Sequence, residues 1–160
     1  MAAPQIDIAI TGAAGRMGQR LVALAKQDGG FNIVGAIERP DHAAQGRDAG
    51  EVCGIGPIGV PITFDLKKTP RVLIDFTVPA STRHWLKTCR DRGISMLIGT
   101  TGLQNPDHAA IEQASTDIPI LQSPNMSLAV FVLFKLAAEA AKLLGEDYDI
   151  EIHEIHHRFK

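Results

Sequence analysis

Two imidazole and two cationic side chains lie close together in the run His156-His157-Arg158-Phe159-Lys160. Imidazole titrates near neutrality, so a histidine in this run can donate or accept a proton at physiological pH. Arg158 and Lys160 add positive charge, which suits an anionic substrate such as a carboxylate. The run follows a strand-like segment, residues 148–155, and open α/β sheets bind ligands beyond the ends of their strands. We therefore interpret it as a catalytic cluster and not as a solvated basic tail.

A glycine-rich turn, Gly12-Ala13-Ala14-Gly15-Arg16-Met17-Gly18, joins the first strand-like segment to the first helical one. Glycine lets the backbone turn tightly and approach a pyrophosphate, which then rests on the N-terminus of the helix. The spacing is one residue longer than the common G-x-G-x-x-G, so taken alone the turn also fits an ordinary strand–helix connection.

An acidic residue strengthens the dinucleotide interpretation. Glu38 ends the second strand-like segment about 20 residues after the glycine turn, where an acid usually binds the ribose hydroxyls of adenosine. Arg39 beside it can bind a 2′-phosphate, so either NADH or NADPH fits. The sequence therefore predicts that the first part of the cofactor site consists of Gly12, Ala13, Ala14, Gly15, Arg16, Met17, Glu38 and Arg39.

Two further turns follow predicted strands, at the edge of the sheet that would line a cofactor crevice. Thr and Asn side chains there can hydrogen-bond a nicotinamide carboxamide or a ribose, although each turn alone also fits an ordinary loop. The residues predicted to contact the cofactor from these turns are Gly99, Thr100, Thr101, Ser123, Pro124, Asn125 and Met126.

Residues 153–157 match the zinc motif H-E-x-x-H. That motif requires a helix, on which its two histidines share one face. Here Ile150 and Ile152 alternate with polar residues, which predicts a strand, and four strand residues span about 13 Å, too far for two ligands of one zinc ion. We therefore expect no metal site.

Strand and helix patterns alternate along the chain. Strands are predicted at Ile6–Thr11, Phe31–Ile37, 60–64, 72–76, Ser95–Ile98, 118–121 and 148–155. Helices are predicted at about 16–28, from Pro79 to Gly93, at about 106–115 with Asn105 as N-cap, and after Ser127, where the apolar sequence predicts a buried core helix. The intervening residues 40–61, rich in Gly, Ala and Asp, are expected to form a long mobile loop. This alternation predicts an α/β fold with a doubly wound parallel sheet, a Rossmann-like dinucleotide-binding domain over residues 1–160.

Composition limits the remaining choices. A net charge of −2 and 21% charged residues describe an ordinary globular protein with no electrostatic footprint for nucleic acid. Two cysteines, Cys53 and Cys89, without a CxxC motif are typical of free thiols in a reducing compartment. No signal peptide or membrane span is visible, so we expect a cytoplasmic protein with no membrane partner.

Several stretches together resemble the dihydrodipicolinate reductase family, whose members are also called 4-hydroxy-tetrahydrodipicolinate reductases. The matching stretches are GAAGRMG at 12–18, Glu38-Arg39, IDFT at 74–77, IGTTG at 98–102, SPNMS at 123–127 and EIHHRFK at 154–160. The resemblance implies that NADH or NADPH reduces a cyclic unsaturated dicarboxylate in lysine and diaminopimelate biosynthesis. It implies His156 as general acid, His157 as a substrate contact, and Lys160 as a proton donor that also anchors a substrate carboxylate.

The sequence differs from this family in its length. Family members continue past the lysine into a D-x-P-S-G-T loop that completes the substrate site and then into a mainly β domain that builds a homotetramer. We expect the present chain to be the nucleotide-binding part, ending within the catalytic motif, with little activity and no tetramer by itself. Two alternatives stay open: a non-catalytic dinucleotide-binding or sensing domain, and another Rossmann dehydrogenase.

Overall fold

The computed structural model describes residues 4–153 and residue 155. Within those residues six strands form one sheet: β1 (Ile6–Thr11), β2 (Phe31–Ile37), β3 (Ile62–Thr63), β4 (Val72–Asp75), β5 (Ser95–Ile98) and β6 (Ile120–Gln122). Their order across the sheet is β3-β2-β1-β4-β5-β6, and each neighbouring pair is parallel. The predicted doubly wound parallel sheet is confirmed.

The helices of the described chain alternate with these strands. They are α1 (Arg16–Asp28), α2 (Ala49–Val52), α3 (Pro79–Arg92), α4 (Asn105–Ala114) and α5 (Leu128–Leu144), followed by a 3₁₀ turn at Gly145–Asp147. The chain divides into two compact units, Met1–Pro124 and Asn125–Lys160. The sheet and the first four helices belong to the first unit. Among the described residues, no helix combines the length and the apolar character that crossing a membrane requires.

Glycine sets the ends of α1 and α3. Both helices end on a residue in the left-handed region, Gly29 with φ 75° and Gly93 with φ 65°, a conformation that costs glycine little. Pro79 lies in the first turn of α3, where its missing N–H would have no helical partner. The bounds predicted for α1 and α3 agree with the structure for these reasons.

Two apolar clusters form the core of the first unit. Ile8 and Ile10 of β1 pack in one cluster with Val22 of α1. Leu73 of β4 packs in the other with Trp85 of α3. Alternate residues of a strand point to opposite faces, so the sheet is buried on both sides. Removing a side chain such as Leu73, which is fully buried, costs about 2–5 kcal/mol of stability.

The pairing of β1 with β2 contains a bulge. Ile8 is aligned with Ile33 but Ala9 is aligned with Gly35, so Val34 is an extra residue in β2. A bulge changes which face of the sheet the following side chains occupy. The bulge precedes the acidic residue at the end of β2 and so determines the face on which that residue lies.

Residues 40–61, predicted to be one long loop, contain α2 and a turn organised by Asp48. The Asp48 carboxylate accepts hydrogen bonds from five backbone N–H groups, those of Gly50, Glu51, Ile58, Gly59 and Val60, at 2.7–3.3 Å. Four of these bonds lower the pKa of Asp48, first that of Ile58 and then those of Glu51, Gly50 and Gly59. The Asp48 carboxylate thus provides hydrogen-bond acceptors for backbone N–H groups in a segment that has little regular secondary structure.

The predicted N-cap of α4 is wrong by one residue. Asn105 is already helical, and Gln104 is the cap. The Asp107 carboxylate accepts from the Gln104 N–H at 2.9 Å and pairs with Arg83 at 2.6 Å. The Gln104 side chain in turn accepts from the backbone N–H of Asp107, completing a capping box. The Gln104 N–H, and after it Arg83, lower the pKa of Asp107.

In the second unit, two predictions are wrong. The helix after Ser127 forms, with the Ser127 hydroxyl accepting from the Val130 N–H at 3.4 Å, but no residue of α5 is buried. Residues 148–153 and 155 have no regular secondary structure. Alternating isoleucines suggested a strand there, but a strand also needs a partner for its backbone, and the side chains of Ile150 and Ile152 are exposed.

Candidate functional site

The strand order reverses between β1 and β4, and a cavity of about 800 Å³ opens there at the carboxyl ends of the strands. Open parallel sheets bind ligands at this point because the connections leave the sheet in opposite directions. The volume lies within the usual range for small-molecule sites, about 300–1,000 Å³. We call this cavity the crevice.

The glycine turn forms one wall of the crevice, to which Gly12 and Gly15 contribute. Gly12 has φ 67°, and a Cβ added to it would lie 2.9 Å from Cγ2 of Thr77. The turn is held by hydrogen bonds from Gly15 N–H to the Gly12 carbonyl at 2.9 Å and from Ala13 N–H to the Ile37 carbonyl at 3.0 Å. No side chain caps the start of α1, which suits an anion at that helix end.

The other residues predicted around this turn differ in exposure. The Ala13 side chain is buried in the core on the α1 side of the sheet, so only its backbone can face a ligand. Ala14 is half-buried, whereas Arg16 and Met17 are exposed at the start of α1. The exposed Arg16 side chain, at the start of α1, can reach an anion bound at the turn.

Glu38 and Arg39 also line the crevice. One oxygen of Glu38 accepts from the Ala14 N–H at 3.3 Å, and the other accepts from the Arg39 N–H at 3.1 Å. The acid at the end of β2 thus faces the glycine turn directly. The Arg39 guanidinium pairs with Asp41 at 3.3 Å, and both side chains are well exposed.

The turn after β5 supports the crevice from beneath. Gly99 makes room for Phe76, since a Cβ at Gly99 would lie 2.1 Å from Cε1 of that ring. Thr100 is buried, and its hydroxyl oxygen accepts from the Thr77 N–H at 3.0 Å. Phe76 and Thr77 line the crevice, whereas Thr101 is exposed. Gly99 and Thr100 therefore act on the crevice through the side chains above them.

Of the remaining predicted residues, Ser123 and Pro124 belong to the first unit but are not among the residues that line the crevice. The N–H of Ser123 donates to the Ile98 carbonyl at 3.0 Å, continuing the pairing of β5 and β6. Pro124 ends the first compact unit; Asn125, whose side chain accepts from the Ser127 N–H at 2.8 Å, and Met126 belong to the second. His156, His157, Arg158 and Lys160 lie outside the described residues, as do Glu154 and His157 of the zinc-like motif.

The sequence interpretation missed several residues of the crevice, among them Thr11, His42, Thr77 and Trp85. Nδ1 of His42 accepts from the Ala44 N–H at 3.1 Å. Thr11 and Thr77 follow apolar strand residues directly, a position that places polar side chains at the ligand end of a parallel sheet. That signal was present in the sequence. Trp85 lies in the middle of α3, and its contribution to the crevice depends on how that helix packs, so the local sequence does not predict it.

The reversal of strand order, with a glycine turn that opens α1 at that point and an acid at the end of β2, defines the class of doubly wound dinucleotide-binding domains. Residues 6–126 match the family model described as dihydrodipicolinate reductase, N-terminus. The chain belongs to the dihydrodipicolinate reductase family.

Curated relatives agree with this family. The chain is 47% identical over 158 residues to a 4-hydroxy-tetrahydrodipicolinate reductase of Geobacter sp. (strain M21), covering 97% of this chain and 59% of the relative. It is 44% identical over 162 residues to the reductase of the same name from Acinetobacter baumannii (strain ATCC 17978), covering 99% and 58%. The chain thus spans about three fifths of the length of these relatives.

Solved structures share the fold. A dipicolinate-bound dihydrodipicolinate reductase from Paenisporosarcina sp. TG-14 superposes with a TM-score of 0.65 at 22% identity, over 85% of this chain and 53% of that one. A Rex-family repressor superposes with a TM-score of 0.58 at 18% identity, over 89% and 65%. At these identities the two structures show the fold alone.

Proposed function

We propose that this chain is the cofactor-binding part of an enzyme that reduces 4-hydroxy-tetrahydrodipicolinate to tetrahydrodipicolinate with NADH or NADPH, in lysine and diaminopimelate biosynthesis. The observation that carries the proposal is that the glycine turn and Glu38 lie beside each other in one crevice, in a chain whose relatives bear the name of this reductase. A non-catalytic sensor or another dehydrogenase is not favoured, because relatives that are 43% and 47% identical are both named as this reductase.

The crevice residues fit a dinucleotide. Gly12 and Gly15 allow a pyrophosphate to approach the backbone, and the uncapped start of α1 offers N–H groups to it. The Glu38 carboxylate can accept from two ribose hydroxyls. Its present bond to Ala14 N–H is 3.3 Å long, beyond the usual range for N–H···O, so a ribose hydroxyl can replace it at small cost. When bound, the nicotinamide supplies the hydride.

The proton chemistry of the proposal rests on residues outside the described part of the chain. We assign the role of general acid to His156, a substrate contact to His157, and proton donation and carboxylate binding to Lys160. An imidazole positioned as general acid typically contributes about 10²–10⁴ in rate. A lysine beside a substrate carboxylate contributes a charged hydrogen bond, which orients the substrate as well as binding it.

The choice between NADH and NADPH depends on Glu38, Arg39 and Asp41. The Glu38 carboxylate favours an unmodified ribose and repels a 2′-phosphate, whereas Arg39 attracts one. Asp41 holds the Arg39 guanidinium in an exposed ion pair, a contact typically worth about 0.2–1 kcal/mol. Asp41→Ala should therefore raise NADPH affinity by up to about fivefold and leave NADH affinity unchanged.

Titration calorimetry with NADH tests the assignment of the crevice. Glu38→Ala should weaken NADH binding by about 1–3 kcal/mol, because charged hydrogen bonds to the ribose are lost. Glu112→Ala, an exposed acid on α4 outside the crevice, is the matched control and should bind NADH like wild type. Equal affinity for wild type and Glu38→Ala would remove Glu38 from the cofactor site.

We also propose a cytoplasmic homotetramer for the full-length protein, with an anionic dicarboxylate substrate and neither nucleic acid nor membrane as partner. Residues 1–160 alone should turn over substrate poorly and form no tetramer. Light scattering and steady-state assays of this chain beside the full-length protein check both statements. A stable tetramer, or a rate like that of the full-length enzyme, from residues 1–160 would contradict them.

A further inference from the structure

Asp75, at the carboxyl end of β4, is a buried acid surrounded by hydroxyl groups. Its side chain is 0% exposed. Oδ1 accepts from the hydroxyls of Thr11 at 2.7 Å and Thr77 at 2.6 Å. Oδ2 accepts from those of Thr82 at 2.5 Å and Thr100 at 3.2 Å. A carboxylate offers about four acceptor positions, and here threonine hydroxyls occupy all four.

The bonds to Asp75 fix where the threonine protons point. Thr11 has an alternative acceptor in the Ile74 carbonyl, but that oxygen is 3.3 Å away. The alternative acceptor for both Thr77 and Thr82 is the Val78 carbonyl, at 3.5 Å and 3.3 Å. Each alternative is at least 0.6 Å longer than the bond that the same hydroxyl makes to Asp75, so it is the weaker of the two contacts. Each hydroxyl has one proton, and Asp75 receives it.

Thr77 connects this network to the glycine turn. The Thr77 hydroxyl donates to Asp75, and the Thr77 N–H donates to the hydroxyl oxygen of Thr100. Thr100 in turn donates to Asp75. The Thr77 methyl group lies against Gly12, since a Cβ added to Gly12 would lie 2.9 Å from Cγ2 of Thr77. Thr77 is half-buried and lines the crevice. The position of the crevice wall opposite Gly12 therefore depends on one carboxylate.

The bond to Asp75 also determines which hydrogen bonds the Thr77 hydroxyl can offer to a ligand in the crevice. Because the Thr77 proton is donated to Asp75, the oxygen of Thr77 has only lone pairs left to offer. It can accept from a hydroxyl or amide N–H of a ligand, and it cannot donate to a phosphate oxygen. A phosphate group therefore gains no donor from Thr77, whereas the backbone N–H groups of the glycine turn can donate to it.

We infer that Asp75 is a positioning residue of the dinucleotide site: it holds Thr77 against the glycine turn as a pure acceptor for a ribose hydroxyl or the carboxamide of the cofactor. The inference rests on the proposed function, since it takes a nicotinamide dinucleotide as the ligand. It adds a specificity determinant, the acceptor at Thr77, and a residue that acts through it without contacting the ligand.

Threonine variants test the inference while Asp75 itself is kept. Thr77→Val keeps the shape of the side chain and removes the acceptor, so NADH affinity should fall about three- to tenfold. Thr77→Ser restores the hydroxyl and should bind within about twofold of wild type. Thr82→Val is the matched control: it also removes one bond to Asp75, but Thr82 does not line the crevice, so NADH affinity should not change.

A double-variant cycle tests the role of Asp75 itself. Asp75→Asn offers one acceptor oxygen and two N–H donors, so some hydroxyl protons must turn away from it. It should weaken NADH binding by at least as much as Thr77→Val, and it should have little further effect in a Thr77→Val background. Additive losses would make Asp75 a general structural residue. If Asp75→Asn does not fold, the threonine series still tests the acceptor at Thr77, and equal NADH affinity for wild type and Thr77→Val overturns the inference.

The outcomes separate this inference from the proposed function. If wild type does not bind NADH, the proposed function fails. If wild type binds NADH and Thr77→Val binds it equally well, the proposed function stands and the inference about Asp75 and Thr77 is overturned. Thermal unfolding of every variant, measured in the same buffer, shows that each is folded at the titration temperature.

Discussion

Gly18 lies directly against the carbonyl group of Gly12, so that a Cβ on Gly18 would come within 2.0 Å of the Gly12 oxygen. Gly18 is the third glycine of the turn and lies in the first turn of α1. Its lack of a side chain lets α1 begin immediately beside β1. The position of the helix N-terminus relative to the crevice therefore depends on this contact.

Gly18→Ala should displace the start of α1 from the glycine turn. The obstacle is backbone, which cannot rotate away like a side chain, and overpacking of this kind typically costs about 1–3 kcal/mol. Urea denaturation should show that loss, and NADH affinity should fall with it. Gln27→Ala, an exposed position on the same helix, should leave both unchanged. A Gly18→Ala protein with wild-type stability would contradict the packing described for α1.

Gly99→Ala should push the Phe76 ring out of its place beneath the crevice, because the new Cβ would lie 2.1 Å from that ring. Since Phe76 lines the crevice, we expect weaker NADH binding from the single variant. Removing the ring as well, in Gly99→Ala/Phe76→Ala, relieves the clash, so the two changes should be non-additive in binding and in stability. Additive effects would show that Gly99 acts in some other way.

Asp48 makes stability depend on pH at acidic values. Backbone N–H groups, led by that of Ile58, lower its pKa in the folded protein below the ordinary 3.8. A group with a lowered folded pKa stabilises the protein above its unfolded pKa, and this contribution is lost as pH falls through the folded pKa. Asp48→Asn should therefore be less stable than wild type near pH 7.

Urea denaturation of wild type and Asp48→Asn between pH 7 and pH 3 measures this effect. The difference between the two proteins should be constant down to about pH 5 and narrow below it. Asp91→Asn, a surface acid that pairs only with Lys87 among the described residues, controls for the general effect of removing a charge. A difference that stays constant down to pH 3 would rule out Asp48 as the titrating group.

His156→Gln in the full-length enzyme should lower kcat by about 10²–10⁴ and leave cofactor affinity nearly unchanged, because a general acid acts on the chemical step. Lys160→Ala should lower kcat and also raise KM, because an ion pair to the substrate is removed. Steady-state kinetics across the pH profile measures both. Wild-type kcat for His156→Gln at every pH would return residues 156–160 to the interpretation as a solvated tail.

Local signals were enough to predict much of the fold. Gly29 and Gly93 end α1 and α3. Short runs of sequence rich in β-branched residues form the strands. The glycine turn and Glu38, predicted from spacing alone, lie in one crevice. Each of these features depends on residues that are near one another in sequence or on the fixed geometry of a strand–helix–strand unit.

Features that depend on long-range pairing were not predicted. The network of Asp75 joins β1, β4, the turn after β5 and α3, and in the sequence Asp75 is only one acid after an apolar run. Residues 148–155 have the alternation of a strand, but alternation does not supply a neighbouring strand. The apolar sequence of α5 likewise predicted burial, and burial depends on what packs against the helix.

The bulge at Val34 has a consequence for how β2 tolerates insertions and deletions. Because Val34 is extra to the β1 alignment, Ile33 and Ala36 share one face of the sheet despite their odd separation. Losing one residue at Val34 would restore a regular ladder and leave Glu38 facing the glycine turn. Losing one between Gly35 and Glu38 would turn the acid to the opposite face. The loss of one residue at the bulge should therefore be neutral for the cofactor site, whereas the loss of one residue after the bulge should disable it.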